Sequence, residues 1–303
     1  MDTALQSTVD LNRLHSLDLV CAVIVTFNSA HCIPALAQSL GSLAHIIVVD
    51  NGSVDDTLTA VAQHLPQAQC VALGKNIGFG SANNVALRMI ASQNLAPYAL
   101  LVNPDCGITP TDLAQLIQTA DAQPQAAIVA PLIVGKDNTV QHSYQLPKHA
   151  YPYRPQTHAC DGLLCVGFIT GACWLARVDA LMPLGGFDEQ IFLYYEDDDL
   201  CLRLHQAGHN LLIDPAARAV HASRGSVKMR SGFQAEYLRG YHHTRAKLYY
   251  LRKWQGESKA RKQRVKLVFT TAFVLLPVRL LSLNSRYLGR AWGRMMGLVH
   301  TQI

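Results

Sequence analysis

Short apolar runs rich in valine and isoleucine recur over the first half of the chain, at residues 19–27, 45–50, 69–73, 99–105 and 126–134. Near-continuous runs of this length suit strands buried on both faces. Between them, apolar positions return at helical spacing over 33–43, 55–64, 81–93 and 111–121. Asp55 and Thr111 are the expected N-caps, because a short side-chain oxygen accepts from amides that a first helical turn leaves unpaired. The alternation of strand and helix predicts βαβ units and a mainly parallel sheet, an α/β fold.

In open sheets of this kind, ligands bind beyond the carboxyl ends of the strands. The polar residues there are Thr26, Asn28 and Ser29 after the first run, Asp50, Asn51, Gly52 and Ser53 after the second, and Asn103, Pro104 and Asp105 after the fourth. Asn-Gly-Ser and Asn-Pro-Asp are also turn formers, so no one of these segments alone separates a turn from a site.

From 136 to 162 the pattern becomes polar and proline-bearing, which predicts a long loop or an irregular hairpin; loops of this length are often functional lids. Farther on, an apolar run at 191–195 leads directly into Glu196, Asp197, Asp198 and Asp199. Leu200, Leu204 and Ala207 follow at helical spacing and Gly208 stands where a helix ends, so the four acids fall in the first turn of a helix. Dipole complementation accounts for one or two of them. Four in succession repel one another. With Phe187, Phe192, Tyr194 and Tyr195 beside them, they point to a half-buried cleft where one carboxylate is a base or hydrogen-bond acceptor. Asp105 can offer an oxygen to Mg²⁺ or Mn²⁺, which takes few protein carboxylates plus substrate phosphates. His221 lies just past a run of strand character and can add an imidazole, although a lone histidine is ordinarily structural.

Composition excludes disordered, collagenous and coiled-coil chains: of 303 residues 50% are hydrophobic and 16% charged. The formal charge of +5 is uneven, since residues 253–303 hold ten Lys/Arg and one acid. The eight cysteines form no C-x-x-C pair and mostly sit in apolar runs, which suggests buried thiols in a reducing compartment. Residues 1–18 lack a basic stretch followed by an apolar core and read as an N-terminal extension, so a cytoplasmic protein is expected. The NIGFGSANN segment does not follow the first strand and lacks the full G-x-G-x-x-G order, which argues against a dehydrogenase.

Taken in order, IVTFNS, VVDNGSVDDT, NIGFGSANN, LLVNPD, GGFDEQIFLYYEDDDLCLR and VHASRGS resemble the inverting family 2 glycosyltransferases of GT-A fold, and more narrowly their bacterial rhamnosyltransferase-like branch. The resemblance covers roughly residues 20–250. It implies a catalytic domain over 19–252, with a nucleotide-sugar half to about 135 and an acceptor half from about 136. It also implies that Thr26, Asn28, Asp50 and Asn51 line the nucleoside pocket. Asn76 and Gly78 would border the nucleotide and donor sugar, with Asn84 behind them. Asn103-Pro104-Asp105 corresponds to the family's Asp-x-Asp metal motif with Asn in first place, leaving Asp105 as the main carboxylate ligand of Mg²⁺ or Mn²⁺ and His221 to complete the metal or diphosphate site. Glu196-Asp197 matches the acceptor motif, with Asp197 as base. The implied donor is dTDP-L-rhamnose and the acceptor a saccharide or lipid-linked saccharide of a cell-surface polysaccharide. A UDP-sugar such as UDP-galactofuranose or UDP-N-acetylglucosamine, or a non-catalytic nucleotide-sugar-binding protein, are the alternatives.

Residues 253–303 form a basic, helical C-terminal region. Its apolar stretch at 267–277 is too short for a bilayer span of ~20 residues, and Arg279 interrupts its continuation. An interfacial helix contacting anionic membrane and a helix packed on the protein with a solvated basic face both fit this pattern. Basic charge without a nucleic-acid motif gives no reason to expect nucleic acid.

Overall fold

Each of the five apolar runs forms a strand: β1 (Val20–Thr26), β2 (His45–Asp50), β3 (Gln69–Ala72), β4 (Tyr98–Val102) and, after the short β5 (Cys106–Ile108), β6 (Ala126–Val134). The helices between them are α1 (Ile33–Leu40), α2 (Thr57–His64), α3 (Phe79–Gln93) and α4 (Pro110–Ala122), and the short α5 (Val178–Leu181) and α6 (Glu196–Gln206) follow farther along the chain. The computed structural model describes residues 17–145, 162–222, 232–281 and 284–301. Most of the N-terminal extension, the centre of the 136–162 loop, Cys160 and the end of VHASRGS therefore lie outside the described residues.

Two compact units divide the chain, Met1–Asp188 with Leu200–Val227 and Glu189–Asp199 with Lys228–Ile303. The first holds a nine-stranded mixed sheet of order β3-β2-β1-β4-β10 (Cys173–Arg177)-β6-β11 (Asn210–His221)-β5, with β8 (Leu164–Val166) beside β11. β7 (Tyr144–Gln145) and β9 (Phe168–Ile169) form a separate two-stranded pair. β1 runs parallel to β2 and β4, and β11 (Asn210–His221) runs parallel to β6. β10 (Cys173–Arg177) lies antiparallel between β4 and β6. The parallel strands thus end at one edge, where Thr26, Asp50, Asn103 and His221 gather. A sheet covered on both faces explains the unbroken apolar runs. Val20, Ala22 and Ile24 of β1 pack into one core layer with Ile33, Leu36 and Leu116, while Cys21, Val23 and Val25 pack into the other with Ala86, Ile90 and Trp174.

Three local expectations need correction. β3 is the edge strand and is largely exposed, because only β2 covers it. Thr111 lies inside the first turn of α4; the cap is Thr109, whose side chain accepts from the Asp112 amide while Pro110 takes the first helical position. At α2 the N-cap residue is Asp56, yet Asp55 Oδ1 accepts from the Thr57 amide at 3.1 Å and so serves the same first turn. Of the described cysteines all are free thiols, and five of the seven are buried.

The second unit is helical. α7 (Gly232–Gln255) runs unbroken through residue 252, where the charge composition changes, and Gly256 at φ 85° separates it from α8 (Glu257–Thr270). A π-turn at Thr271–Leu275 joins α8 to α9 (Leu276–Leu281). Pro277, which cannot donate to the carbonyl one turn back, is the physical reason the ladder loosens there. α10 (Ser285–Val299) is capped by Asn284 and packs on α7 through glycines. A Cβ at Gly289, Gly293 or Gly297 would collide with the carbonyl of Phe233, Tyr237 or Tyr241, and one at Gly240 with that of Arg290. The two backbones touch, as at small-residue helix seams. Among the described residues no helix is long and apolar enough to cross a membrane.

Candidate active site

The carboxyl edge of the first unit carries two groups of expected site residues. In the first, Asp50 is buried at the end of β2 and receives the Thr26 hydroxyl at 3.0 Å, the Ser53 hydroxyl at 2.5 Å and the Ser53 amide at 3.0 Å. The register that sets Thr26 opposite Asp50 makes the first of these contacts automatic. Asn28, at φ 52°, takes the Val54 amide on its side chain and gives its own amide to Ser53, tying the loop after β1 to the loop after β2. Asn51 donates to Asn76 Oδ1 and the Gly78 carbonyl and accepts from the Ile77 amide at 2.8 Å. Gly52 sits at φ 84°, and a Cβ there would come within 2.9 Å of the Lys75–Asn76 backbone, so only glycine permits this approach. Asn84 holds the Phe187 backbone at both ends, 2.8 Å each way. Asn28 and Asn51 therefore tie together the loops that follow β1, β2 and β3, and Asn84 fixes the backbone at Phe187.

The second group arises where β5 pairs antiparallel with the end of β11, setting Cys106 opposite His221. That pairing brings Asp105 Oδ1 to 3.4 Å from His221 Nε2. His221 is the last residue of its strand, and the Ala222 amide donates to the Asp105 carbonyl. Asn103 heads the turn, its carbonyl accepting from Cys106. Gln141 donates from Nε2 to the His221 carbonyl at 2.8 Å, which turns its Oε1 toward Nδ1 at 3.3 Å. Held this way, the ring turns Nε2 to the buried Asp105 carboxylate, two groups that a cation between them would bring together as ligands. One carboxylate and one imidazole fit Mg²⁺ or Mn²⁺ whose remaining positions are filled by phosphate oxygens and water. Among the described residues no group of three or more His, Cys, Asp or Glu stands ready to hold a metal by itself.

In the second unit Tyr194 and Tyr195 both have left-handed backbones, φ 67° and 70°, a costly conformation for aromatic residues. Their rings meet His243 at 5.8 and 5.4 Å, and Phe192 stacks on His242 at 4.4 Å. Burial drives the pKa of both histidines down to about 4, helped by Arg245 beside His242 and Lys247 beside His243, so these rings are neutral near pH 7. Directly after the tyrosines, α6 (Glu196–Gln206) begins with the four acids in its first turn, as expected, and Gly208 closes its far end at φ 86°. They are not equivalent. Asp199 is fully buried and receives Lys253 Nζ at 2.6 Å and Trp254 Nε1 at 2.9 Å. Burial, then the charge of Asp197, pushes the Glu196 carboxyl well above the usual range and Asp198 to about 8. Glu196 Oε2 is buried with no hydrogen-bond partner among the described residues. Asp197, half-buried, accepts the Asp198 amide at 3.0 Å.

Sequence reasoning did not single out Ser53 as a partner of Asp50, although it follows the Asn-Gly pair directly. It passed over Gln141, which stands in a polar loop with no periodic signal. The glycines of α10 were legible as a four-residue repeat and were overlooked.

A family model described as "Glycosyl transferase family 2" matches residues 21–185. Over 236 residues, 67% of this chain and 76% of the other, the sequence is 30% identical to the N-acetylglucosaminyl-diphospho-decaprenol L-rhamnosyltransferase of Mycobacterium tuberculosis (strain CDC 1551 / Oshkosh). It is 25% identical over 223 residues to rhamnosyltransferase WbbL of Escherichia coli (strain K12), covering 67% of this chain and 83% of that one. The fold is similar to the crystal structure of GalNAc-T7 with UDP, GalNAc and Mn²⁺, with a TM-score of 0.56 at 16% identity over 75% of this chain and 47% of that one.

Proposed function

The chain belongs to the family 2 glycosyltransferases and has the GT-A fold, and from that premise we propose that it transfers L-rhamnose, with inversion, from dTDP-L-rhamnose to a hydroxyl of a lipid-linked saccharide. The gathering of Asp50, Asp105 and His221 at one carboxyl edge carries this reading, because that edge is where a nucleoside diphosphate binds in open α/β sheets. The names of the relatives support rhamnose as the sugar and a lipid diphosphate as the acceptor's anchor. Such an acceptor would locate the enzyme in the cytoplasm, at the inner face of the cytoplasmic membrane.

Asp50, fixed by Thr26 and Ser53, accepts hydrogen bonds from the base or ribose. Asn76, Gly78 and Asn103 border the nucleotide and sugar. Asp105 and His221 would hold Mg²⁺ or Mn²⁺, whose chemistry is to neutralise charge on the departing diphosphate. Asp197 takes the proton of the acceptor hydroxyl as that oxygen attacks the anomeric carbon. Glu196, its carboxyl pushed well above the ordinary range by burial, favours the protonated form that offers a hydrogen bond to the acceptor.

Calorimetric titration with dTDP-L-rhamnose, UDP-galactofuranose, UDP-N-acetylglucosamine, dTDP and UDP, each with and without Mn²⁺, tests this. Metal-dependent binding of dTDP-L-rhamnose tighter than any UDP compound is expected. Preference for a UDP-sugar would replace the donor, and silence toward all five would overturn the nucleotide-site assignment.

A further inference from the structure

Between residues 265 and 281 the second unit turns large apolar side chains to solvent at close intervals. Val265 is 69% exposed, Phe269 61%, Phe273 68% and Leu281 84%, and Val274, Val278 and Leu280 are exposed among them. Elsewhere among the described residues such side chains are scattered singly, which is ordinary. Here they are contiguous in sequence along α8, the π-turn and α9. The rings of Phe269 and Phe273 stand 5.0 Å apart, and with Val265, Val268, Arg261 and Arg264 they line an open groove of about 510 Å³. Lys259, Lys262 and Lys266 are exposed on the same helix, whose single acid, Glu257, is paired with Arg261 at 2.6 Å.

A patch of this size, rimmed by cations, marks a binding surface. The charge chooses its occupant. A second copy would bring one cationic helix against another. An anionic bilayer supplies phosphates to the guanidinium and ammonium groups and an acyl boundary to the phenylalanines. No described helix is apolar enough for a span, so the contact is interfacial.

We propose that the surface centred on Phe269 and Phe273 and flanked by Arg261 and Arg264 docks the protein on an anionic lipid bilayer. Its purpose rests on the lipid-linked acceptor of the proposed function, but its occurrence does not, since the docking involves no sugar.

The full chain is sedimented with vesicles of phosphatidylcholine alone and of phosphatidylcholine with phosphatidylglycerol, in low and high salt. The comparison is with Phe269→Ser/Phe273→Ser and with Arg261→Gln/Arg264→Gln. Binding to anionic vesicles is expected, falling at least tenfold in each double variant and becoming weaker with salt. Because Arg261, Phe269 and Phe273 are exposed and Arg264 is half-exposed, the variants should unfold at the parent temperature and bind dTDP equally well, which separates a lost membrane contact from a lost nucleotide site. Equal binding by parent and variants, or no preference for anionic vesicles, would overturn the proposal. So would apolar-variant-sensitive dimers in sedimentation equilibrium without vesicle binding, which would assign the patch to a second copy.

Discussion

Gln141 grips His221 at two points, giving a hydrogen bond to its carbonyl and placing its own amide oxygen beside Nδ1. The first contact fixes which way the amide points, and with it the turn of the ring that sets Nε2 towards Asp105. Outer partners of this kind decide the ring's orientation as firmly as the strand does.

Gln141→Leu keeps the volume and removes both contacts. Mn²⁺ affinity in the presence of dTDP, read from the paramagnetic resonance of free Mn²⁺, should fall about 10- to 100-fold. Asp105→Asn should fall at least as far. An unchanged affinity in both would remove this pair from the metal site.

Asp197→Asn preserves shape and deletes the proposed base. Turnover should drop by about 10²- to 10⁴-fold while nucleotide affinity stays within about twofold. If nucleotide binding falls in step with turnover, Asp197 acts in holding the donor instead.

Asp199 is the member of the acid row with fixed cationic and indole partners. Lys253→Met removes the cation from a fully buried carboxylate, and should cost about 3 kcal/mol in denaturant unfolding. Trp254→Phe, which deletes one hydrogen bond to a charged group, should cost about 1.5–3 kcal/mol. Losses below a few tenths would mean that the row is anchored elsewhere.

Asp198 titrates at about 8 in the folded protein against 3.8 as an ordinary side chain. Between these values the folded protein keeps a proton that the unfolded chain has lost, so stability falls as pH rises through that window and levels off above it. Glu196 acts in the same direction. His242 and His243, with pKa values lowered from 6.5 to about 4, take stability away as pH falls through that lower range. Unfolding free energies should therefore stay nearly level up to about pH 6.5, where the two effects oppose each other, and fall from there towards pH 8, and Asp198→Asn should flatten that alkaline decline. A decline of equal slope in the variant would contradict burial of Asp198 as its cause.

Gly293→Ala adds one methyl where Tyr237's carbonyl already sits. Because the obstacle is backbone, α7 and α10 must separate, and a loss of about 1–3 kcal/mol or more is expected in thermal or denaturant unfolding.

The sheet was legible because burial on both faces leaves a continuous apolar run, which β1, β2, β4 and β6 display. β5 was not, being three residues whose pairing depends on a strand more than a hundred residues later. The same distance hid the partnership of Asp105 with His221, which sequence order suggested only through the family's motifs. The acid row was readable as a helix start, since charge, spacing and Gly208 agree. Its internal division was not, because Lys253 and Trp254 reach Asp199 from another helix. That Asn28, Asn51 and Asn84 also brace loops was not legible, because the same amide chemistry serves a loop and a ligand alike.

Tyr194 and Tyr195 occupy backbone positions where glycine would be free of penalty. Two aromatic rings held there in spite of that preference mean that the segment is built around its side chains, at the cost of conformational ease. Replacing both with glycine would relax the chain and erase the ring surface in a single step. Variants that trade local comfort against ring chemistry therefore offer a way to separate how the acid row is held from what its neighbours recognise.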